Sequence, residues 1–225
     1  MLHGSRGTYQ ELLPLANALT PVCTPILPNL IGHGGREIPD SLSVREIAED
    51  IVQQMDRHHV EKACCFGYSF GGYVALFLAR HFPERISGVC TLATKVRFDA
   101  ETVKLWTKLS SAERIRHLQA EQMNQRHPGQ NWDRLVDGLA CLYSQLGEKP
   151  ELGDDDWPRI KVPVLVMSAD HDQLVSWEES LSLGFALPRG HSFTFAGQAH
   201  PFSVMPPSFL AGVIKRWLSS ISDFT

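Results

Sequence analysis

A glycine-rich turn between two apolar stretches constrains this chain more than any other feature. The sequence GYSFGG at positions 67–72 interrupts a run of small and apolar residues that begins at Ala63, and a helical apolar pattern follows it through Leu78. This order predicts a strand, a sharp turn and a helix. The glycines of such a Gly-x-Ser-x-Gly turn remove the Cβ atoms that would collide where strand and helix meet, and they leave Ser69 strained, with its hydroxyl held above the sheet. Ser69 is therefore the candidate nucleophile.

The same turn also fits a glycine-rich connection in which Ser69 only caps the helix. A serine hydroxyl is a poor nucleophile at neutral pH, and it needs a general base that a carboxylate orients. The partners that the chain can offer to Ser69 therefore decide between the two interpretations.

The rest of the chain alternates between predicted strands and helices. Besides the strand before Ser69, apolar runs predict strands over 22–27, 86–92, 162–167 and 191–195. Helical spacing and capping signals predict helices over 8–19, 43–58, 177–185 and 207–219. From 94 to 157 the pattern predicts three or four helices and no strand.

The length of 225 residues suits one α/β domain with an insertion rather than two domains. We assign 1–93 and 159–225 to the α/β core and 94–158 to a helical insertion that would act as a lid.

Polar side chains with catalytic potential follow two of the predicted strands. In parallel sheets, chemistry collects in the loops after the carboxyl ends of the strands. Asp170 and Asp172 follow one strand and compete for the role of the carboxylate, and His200 follows the last strand. The order along the chain is therefore serine, aspartate, histidine.

Other histidines are less well placed than His200. His171 lies beside the acid rather than across the site, and His191 begins a strand. His33 lies among glycines in a loop, where a structural role is expected.

Together these pieces resemble the α/β-hydrolase family, of the lid-bearing serine esterase type. The resemblance covers almost the whole chain outside the insertion. Its matching segments are His3-Gly4, 32–34, 67–72, 172–175 and 197–200. The family's acid stands in an Asp-x-x-Val pattern, which favours Asp172 and leaves Asp170 to cap the loop.

The resemblance implies a mostly parallel α/β-hydrolase sheet, shortened at the N-terminus, with a helical lid inserted between two late strands. It implies that His200 takes the proton of Ser69 while Asp172 orients the imidazole. The backbone N–H groups of Phe70 and Ser5 would bind the oxyanion.

The activity that the resemblance implies is cleavage of a small-molecule ester through an acyl-enzyme, without a cofactor. A thioester or C–C bond hydrolase with the same triad is the alternative, and a non-catalytic binding protein on the hydrolase fold is another. A dehalogenase would need an aspartate at position 69.

Composition limits the partners further. The formal net charge of −4 and the scattered cations offer no basic patch, so we expect a small-molecule substrate and no nucleic acid. No apolar run reaches the ~18 residues that span a bilayer, and no signal peptide is evident, so we expect a cytoplasmic protein without a membrane partner. The five cysteines lack zinc-like spacing and no His-Glu-x-x-His is present, so we predict no metal.

The chain has only two residues before His3, where the family carries further strands. We therefore expect about five strands and a stub, with one sheet edge exposed. Exposed edges invite pairing, so a homodimer through this edge is expected.

Overall fold

The computed structural model describes residues 1–109 and 111–221. Its centre is a parallel sheet of four neighbouring strands, namely β1 (Ala63–Tyr68), β2 (Ile86–Leu92), β3 (Val164–Ala169) and β4 (Gly190–Phe195). The α-helices of the described residues are α1 (Leu13–Leu19), α2 (Val44–Arg57), α3 (Phe70–His81), α4 (Ala100–Leu109), α5 (Ala112–Arg126), α6 (Trp132–Glu148), α7 (Trp177–Ala186) and α8 (Pro207–Leu218). A short 3-10 helix, Tyr9–Leu12, precedes α1.

Helices cover both faces of this sheet. On one face, Ile51 of α2 and Phe77 of α3 belong to one buried apolar cluster with the strands. On the other face, Leu15 of α1 and Trp217 of α8 belong to a second cluster. Parallel strands are joined by crossovers that place helices on both sides, which explains why β1 to β3 read as continuous apolar runs.

The prediction of a strand over 22–27 is wrong. The segment carries no strand, and the described part of the sheet has four strands rather than five. Pro25 has no N–H to donate to a neighbouring strand, which disfavours a ladder here. The carbonyl of Ile26 instead accepts a hydrogen bond from the ammonium group of Met1, at 2.7 Å.

The predicted stub does pair with the sheet. Leu2 forms a parallel bridge with Gly67, its N–H donating to the Phe66 carbonyl at 2.8 Å and its carbonyl accepting from Tyr68 N at 3.0 Å. This bridge holds the loop that begins at His3 against the carboxyl end of β1.

Helices α4, α5 and α6 follow β2 and precede β3 along the chain, and the described residues of 94–158 contain no strand. Aromatic packing connects these helices to the core. The rings of Trp106 and Tyr143 meet edge to face with centroids 4.8 Å apart, and Tyr143 also meets Phe70 at 6.0 Å. Helices α4 and α6 therefore lie over the end of the sheet where β1 passes into α3.

Candidate active site

Ser69 occupies a strained turn between β1 and α3. Its φ of 51° and ψ of −118° fall in a region that non-glycine residues rarely adopt. The surrounding glycines make the turn possible, because a Cβ on Gly67 would lie 2.3 Å from the Gly71 carbonyl oxygen, and one on Gly71 would lie 2.4 Å from the Leu2 carbonyl oxygen. The strain is thus fixed by close backbone packing on both sides of the serine.

Ser69, His200 and Asp172 lie within hydrogen-bonding distance of one another in that order. The Nε2 atom of His200 is 3.2 Å from Ser69 Oγ, and its Nδ1 atom is 2.7 Å from Asp172 Oδ2. Because the carboxylate only accepts hydrogen bonds, Nδ1 carries the hydrogen and Nε2 is free to accept one from the serine. The structure therefore brings together the three side chains that the sequence singles out.

The carboxylate of Asp172 is fully buried, and the backbone of its own loop holds it in place. Its Oδ1 atom accepts hydrogen bonds from the N–H groups of Leu174, at 2.8 Å, and Val175, at 3.0 Å. The other oxygen therefore remains directed at His200.

The competing residues occupy other places. Asp170 accepts a hydrogen bond from Gln198 N at 3.3 Å, as a loop cap would. His191 is exposed on β4, and His33 is buried between backbone carbonyls. His171 lines the cavity that contains Ser69.

Two backbone segments border the nucleophile. Phe70 is the first residue of α3, where N–H groups lack acceptors within the helix and the helix dipole is positive. The loop of Gly4 and Ser5 passes beside the serine, since a Cβ on Gly4 would lie 3.7 Å from Ser69 Cβ. Ser5 lines the same cavity as Ser69.

Two side chains that sequence reasoning did not assign to the site anchor this loop. Glu11 Oε1 accepts a hydrogen bond from Gly4 N at 3.1 Å, and His33 Nε2 lies 2.7 Å from the Ser5 carbonyl oxygen. Burial raises the pKa of Glu11. No sequence pattern connects Glu11 with Gly4, whereas the Gly-His-Gly of the second loop does mark His33 as a residue with a fixed place.

Tyr68 was also missed. Its hydroxyl donates to the backbone carbonyl of His200 at 2.8 Å, and the two rings lie 5.5 Å apart. Burial raises the pKa of Tyr68, so the phenol stays neutral. Its position as the variable residue before the serine gave no sign of this contact.

A cavity of about 840 Å³ opens above Ser69, a volume typical of small-molecule sites. One wall comes from the loops that follow strands and includes Gln173, Leu174, His200 and Phe202. Helices α4 and α5 supply the facing wall through Trp106, Leu109, Gln119, Gln122 and Arg126. The insertion thus shapes the space in front of the nucleophile.

No cluster of three or more histidine, cysteine or acidic side chains across 1–109 and 111–221 could hold a metal ion. In the same stretches, every helix is too short or too polar to pass through a bilayer.

Comparison with known proteins identifies the family of the chain. The Alpha/beta hydrolase family profile matches residues 1–211. The pimeloyl-[acyl-carrier protein] methyl ester esterase of Vibrio atlanticus (strain LGP32) is 27% identical over 199 residues, which cover 74% of this chain and 75% of that protein. A protein of the same name from Neisseria meningitidis (serogroup A) is 30% identical over 104 residues, and the match covers 45% of this chain and only 31% of that protein.

Solved structures share the fold. A thermophilic esterase from Thermogutta terrifontis superimposes with a TM-score of 0.78 at 21% identity, covering 97% of this chain and 88% of the esterase. Because the family profile spans nearly the whole sequence, including the turn at Ser69 and the loop of His200, the chain belongs to the alpha/beta hydrolase family.

Proposed function

We propose that this protein is a serine hydrolase that cleaves the ester bond of a small molecule through an acyl-enzyme. The observation that carries the proposal is the line of hydrogen-bonding distances from Ser69 through His200 to Asp172, at 3.2 and 2.7 Å, on the wall of a cavity of ligand size. Relatives named as methyl ester esterases favour an ester as the bond that is cleaved.

In the first half of the reaction, Ser69 Oγ attacks the acyl carbon while its proton passes to His200 Nε2. Asp172 stabilises the imidazolium that forms. The N–H groups of Phe70 and Ser5 would donate to the oxyanion, and each such donor is typically worth ~10²–10³ in rate. His200 then gives the proton to the leaving alkoxide, which departs as an alcohol.

In the second half, water attacks the acyl-enzyme. His200 takes a proton from the water, and a second tetrahedral intermediate forms and collapses. The carboxylic acid leaves as Ser69 recovers its hydrogen. The insertion would act as the lid that admits and selects the substrate, because its helices α4 and α5 contribute the wall that faces the serine.

The alternative is a thioester or C–C bond hydrolase, because the same residues serve all three reactions. Rates with matched oxygen and sulfur esters of one acyl group, and with a diketone, separate these activities. The largest kcat/KM identifies the bond.

A fluorophosphonate probe tests the proposal directly. We expect stoichiometric labelling of the wild-type protein, no labelling of Ser69→Ala, and full labelling of Ser203→Ala, a variant of a second serine that lines the same cavity. Turnover of short p-nitrophenyl esters should follow the same pattern. A folded wild-type protein that neither reacts with the probe nor hydrolyses any ester would instead be a binding protein.

A further inference from the structure

Two arginines border the cavity that contains Ser69. Arg6 lies in the same loop as Gly4 and Ser5, and Arg126 is the last residue of α5. The two side chains come from the core and from the insertion, and both line the space in front of the nucleophile.

The described residues offer no ionic partner to either guanidinium group. Within the part of the chain that the structure describes, no carboxylate lies within ion-pair distance of Arg6 or Arg126. Arg6 instead lies 3.4 Å from the neutral Oε1 atom of Gln119. Burial lowers the pKa of Arg6. The positive charge of Arg126 lowers it further, whereas Tyr143 raises it. Because arginine stays protonated in proteins, a partly buried positive charge is left without compensation.

One acid shares this wall but does not neutralise both cations. Glu11 lines the cavity, and its Oε1 atom is bound to the N–H of Gly4 at 3.1 Å. Even with Glu11 ionised, the side chains that line the cavity carry two positive charges against one negative charge, and the carboxylate of Asp172 is buried and does not line the cavity. The remaining titratable groups of the cavity are Tyr68, His171 and His200, and the last of these is bound to Asp172.

We propose that Arg6 and Arg126 bind an anionic group of the substrate, a carboxylate or a phosphate, while its ester carbon lies at Ser69. The proposal rests on the serine hydrolase activity proposed above and adds the class of substrate. The planar guanidinium fork matches the paired oxygens of both anions, and such bonds strengthen where water is partly excluded. The cavity volume of about 840 Å³ leaves room for an ester joined to a second polar end.

Matched ester pairs test the substrate class. The mono-p-nitrophenyl ester of glutaric acid is compared with p-nitrophenyl pentanoate for an anion on the acyl side, and p-acetoxybenzoate with phenyl acetate for an anion on the alcohol side. We expect the wild-type protein to favour the anionic member of at least one pair. Arg6→Gln and Arg126→Gln should each reduce that preference by ~10- to 100-fold.

Two further variants show that charge, rather than folding, causes the loss. Arg6→Lys should recover part of the preference, since it keeps a cation in the loop. Arg57→Gln should keep the full preference, because Arg57 is exposed at the end of α2 and outside the cavity. Arg57→Gln should also hydrolyse the neutral esters at the wild-type rate, whereas for the Arg6 and Arg126 variants the measured quantity is the ratio of the anionic to the neutral rate.

Binding without turnover separates this inference from the proposed function. Calorimetric titration of Ser69→Ala with glutarate and with inorganic phosphate should show binding of at least one, weakened by Arg6→Gln on the same background. The anion that binds more tightly shows whether the site prefers a carboxylate or a phosphate. If the wild-type protein hydrolyses neutral esters but neither prefers nor binds an anion, the anion site is wrong and the hydrolase stands. If it binds an anion but hydrolyses no ester, the proposed hydrolase activity is wrong.

Discussion

The hydroxyl of Tyr68 donates a hydrogen bond to the backbone carbonyl of His200 across 2.8 Å. Tyr68 is the last residue of β1 and directly precedes Ser69, while His200 lies in the loop after β4. The bond therefore joins the two segments that carry the proposed nucleophile and its base. Tyr68 would act as a positioning residue, because it contacts the histidine backbone rather than the proton in transfer.

Removing this hydroxyl should slow catalysis without unfolding the protein. We expect Tyr68→Phe to lower kcat by ~3- to 10-fold with little change in KM, since the imidazole loses one constraint on its orientation. Tyr73→Phe is the matched control. The Tyr73 hydroxyl accepts from Leu152 N at 3.0 Å, away from the site, so its loss should cost about 1 kcal/mol of stability and leave kcat unchanged. Equal kcat in wild type and Tyr68→Phe would contradict the positioning role.

The two aspartates of the loop after β3 should differ sharply in their effect. Asp172→Asn should lower kcat by about 10³- to 10⁴-fold, because an amide cannot fix the tautomer of His200 or stabilise its cation. Asp170→Asn keeps an oxygen for Gln198 N and should stay within a few fold of wild type. Steady-state kinetics on one p-nitrophenyl ester decides the point, and the reverse order of effects would move the acid to Asp170.

The free energy of unfolding should fall in mild acid. Burial lowers the pKa of His127 to about 4 from the ordinary value of 6.5, and burial also lowers the pKa of His3 and His33. Between pH 6.5 and 4 the unfolded chain therefore binds more protons than the folded one. The sign follows from linkage: stability is full above pH 6.5 and is lost as the pH falls towards 4, by at most ~1.4 kcal/mol per pH unit for each histidine.

Urea denaturation across this range measures the slope. The Nδ1 atom of His127 accepts a hydrogen bond from Gly34 N at 3.0 Å, so protonation would remove that bond. His127→Gln should reduce the slope of the unfolding free energy against pH by the equivalent of up to one proton. Near pH 8 the stability of this variant should not change with pH. An unchanged slope would exclude His127 as a contributor.

The turn at Ser69 should not tolerate a methyl group at Gly67. Gly67→Ala would place a Cβ 2.3 Å from a backbone oxygen of α3, which the helix cannot relieve by moving a side chain. We expect a loss of several kcal/mol or no folded protein. Gly212→Ala is the control, because its Cβ would meet open space on α8 and should add ~0.5–1 kcal/mol of stability. Thermal melts of both variants measure the difference.

The outer edge of β1 carries the remaining prediction, a homodimer. Leu2 bridges this edge at Gly67, and a groove lined by apolar residues such as Ile26, Cys64 and Leu218 runs beside it. We propose that a second copy of the chain covers this edge, and light scattering should then give twice the mass of 25.1 kDa. Cys64→Lys should release the monomer, since lysine disfavours edge pairing, whereas Cys141→Lys on exposed α6 should not. A monomeric wild-type protein would refute the proposal.

The sequence predicted the parts that local patterns determine. Ser69 was identified from its turn, and His200 and Asp172 from their places after strands, and the structure brings all three within hydrogen-bonding distance. Contacts between distant segments were missed, such as Glu11 with Gly4, because nothing in either segment specifies the other.

The missing strand over 22–27 has a different origin. An apolar run favours a strand, but pairing also needs donors that face a neighbour, and Pro25 removes one of them. Trp106 and Tyr143 are buried, as large aromatic side chains usually are, whereas the approach of α4 and α5 to the serine depends on how the helices pack.

The division of the cavity between strand loops and inserted helices has a consequence for how such a protein diverges. Ser69, Asp172 and His200 come from turns and loops that follow strands, while Trp106, Leu109 and Arg126 come from the inserted helices α4 and α5. Substitutions within residues 94–158 could therefore change which substrate fits the cavity, while the proposed triad stays in place.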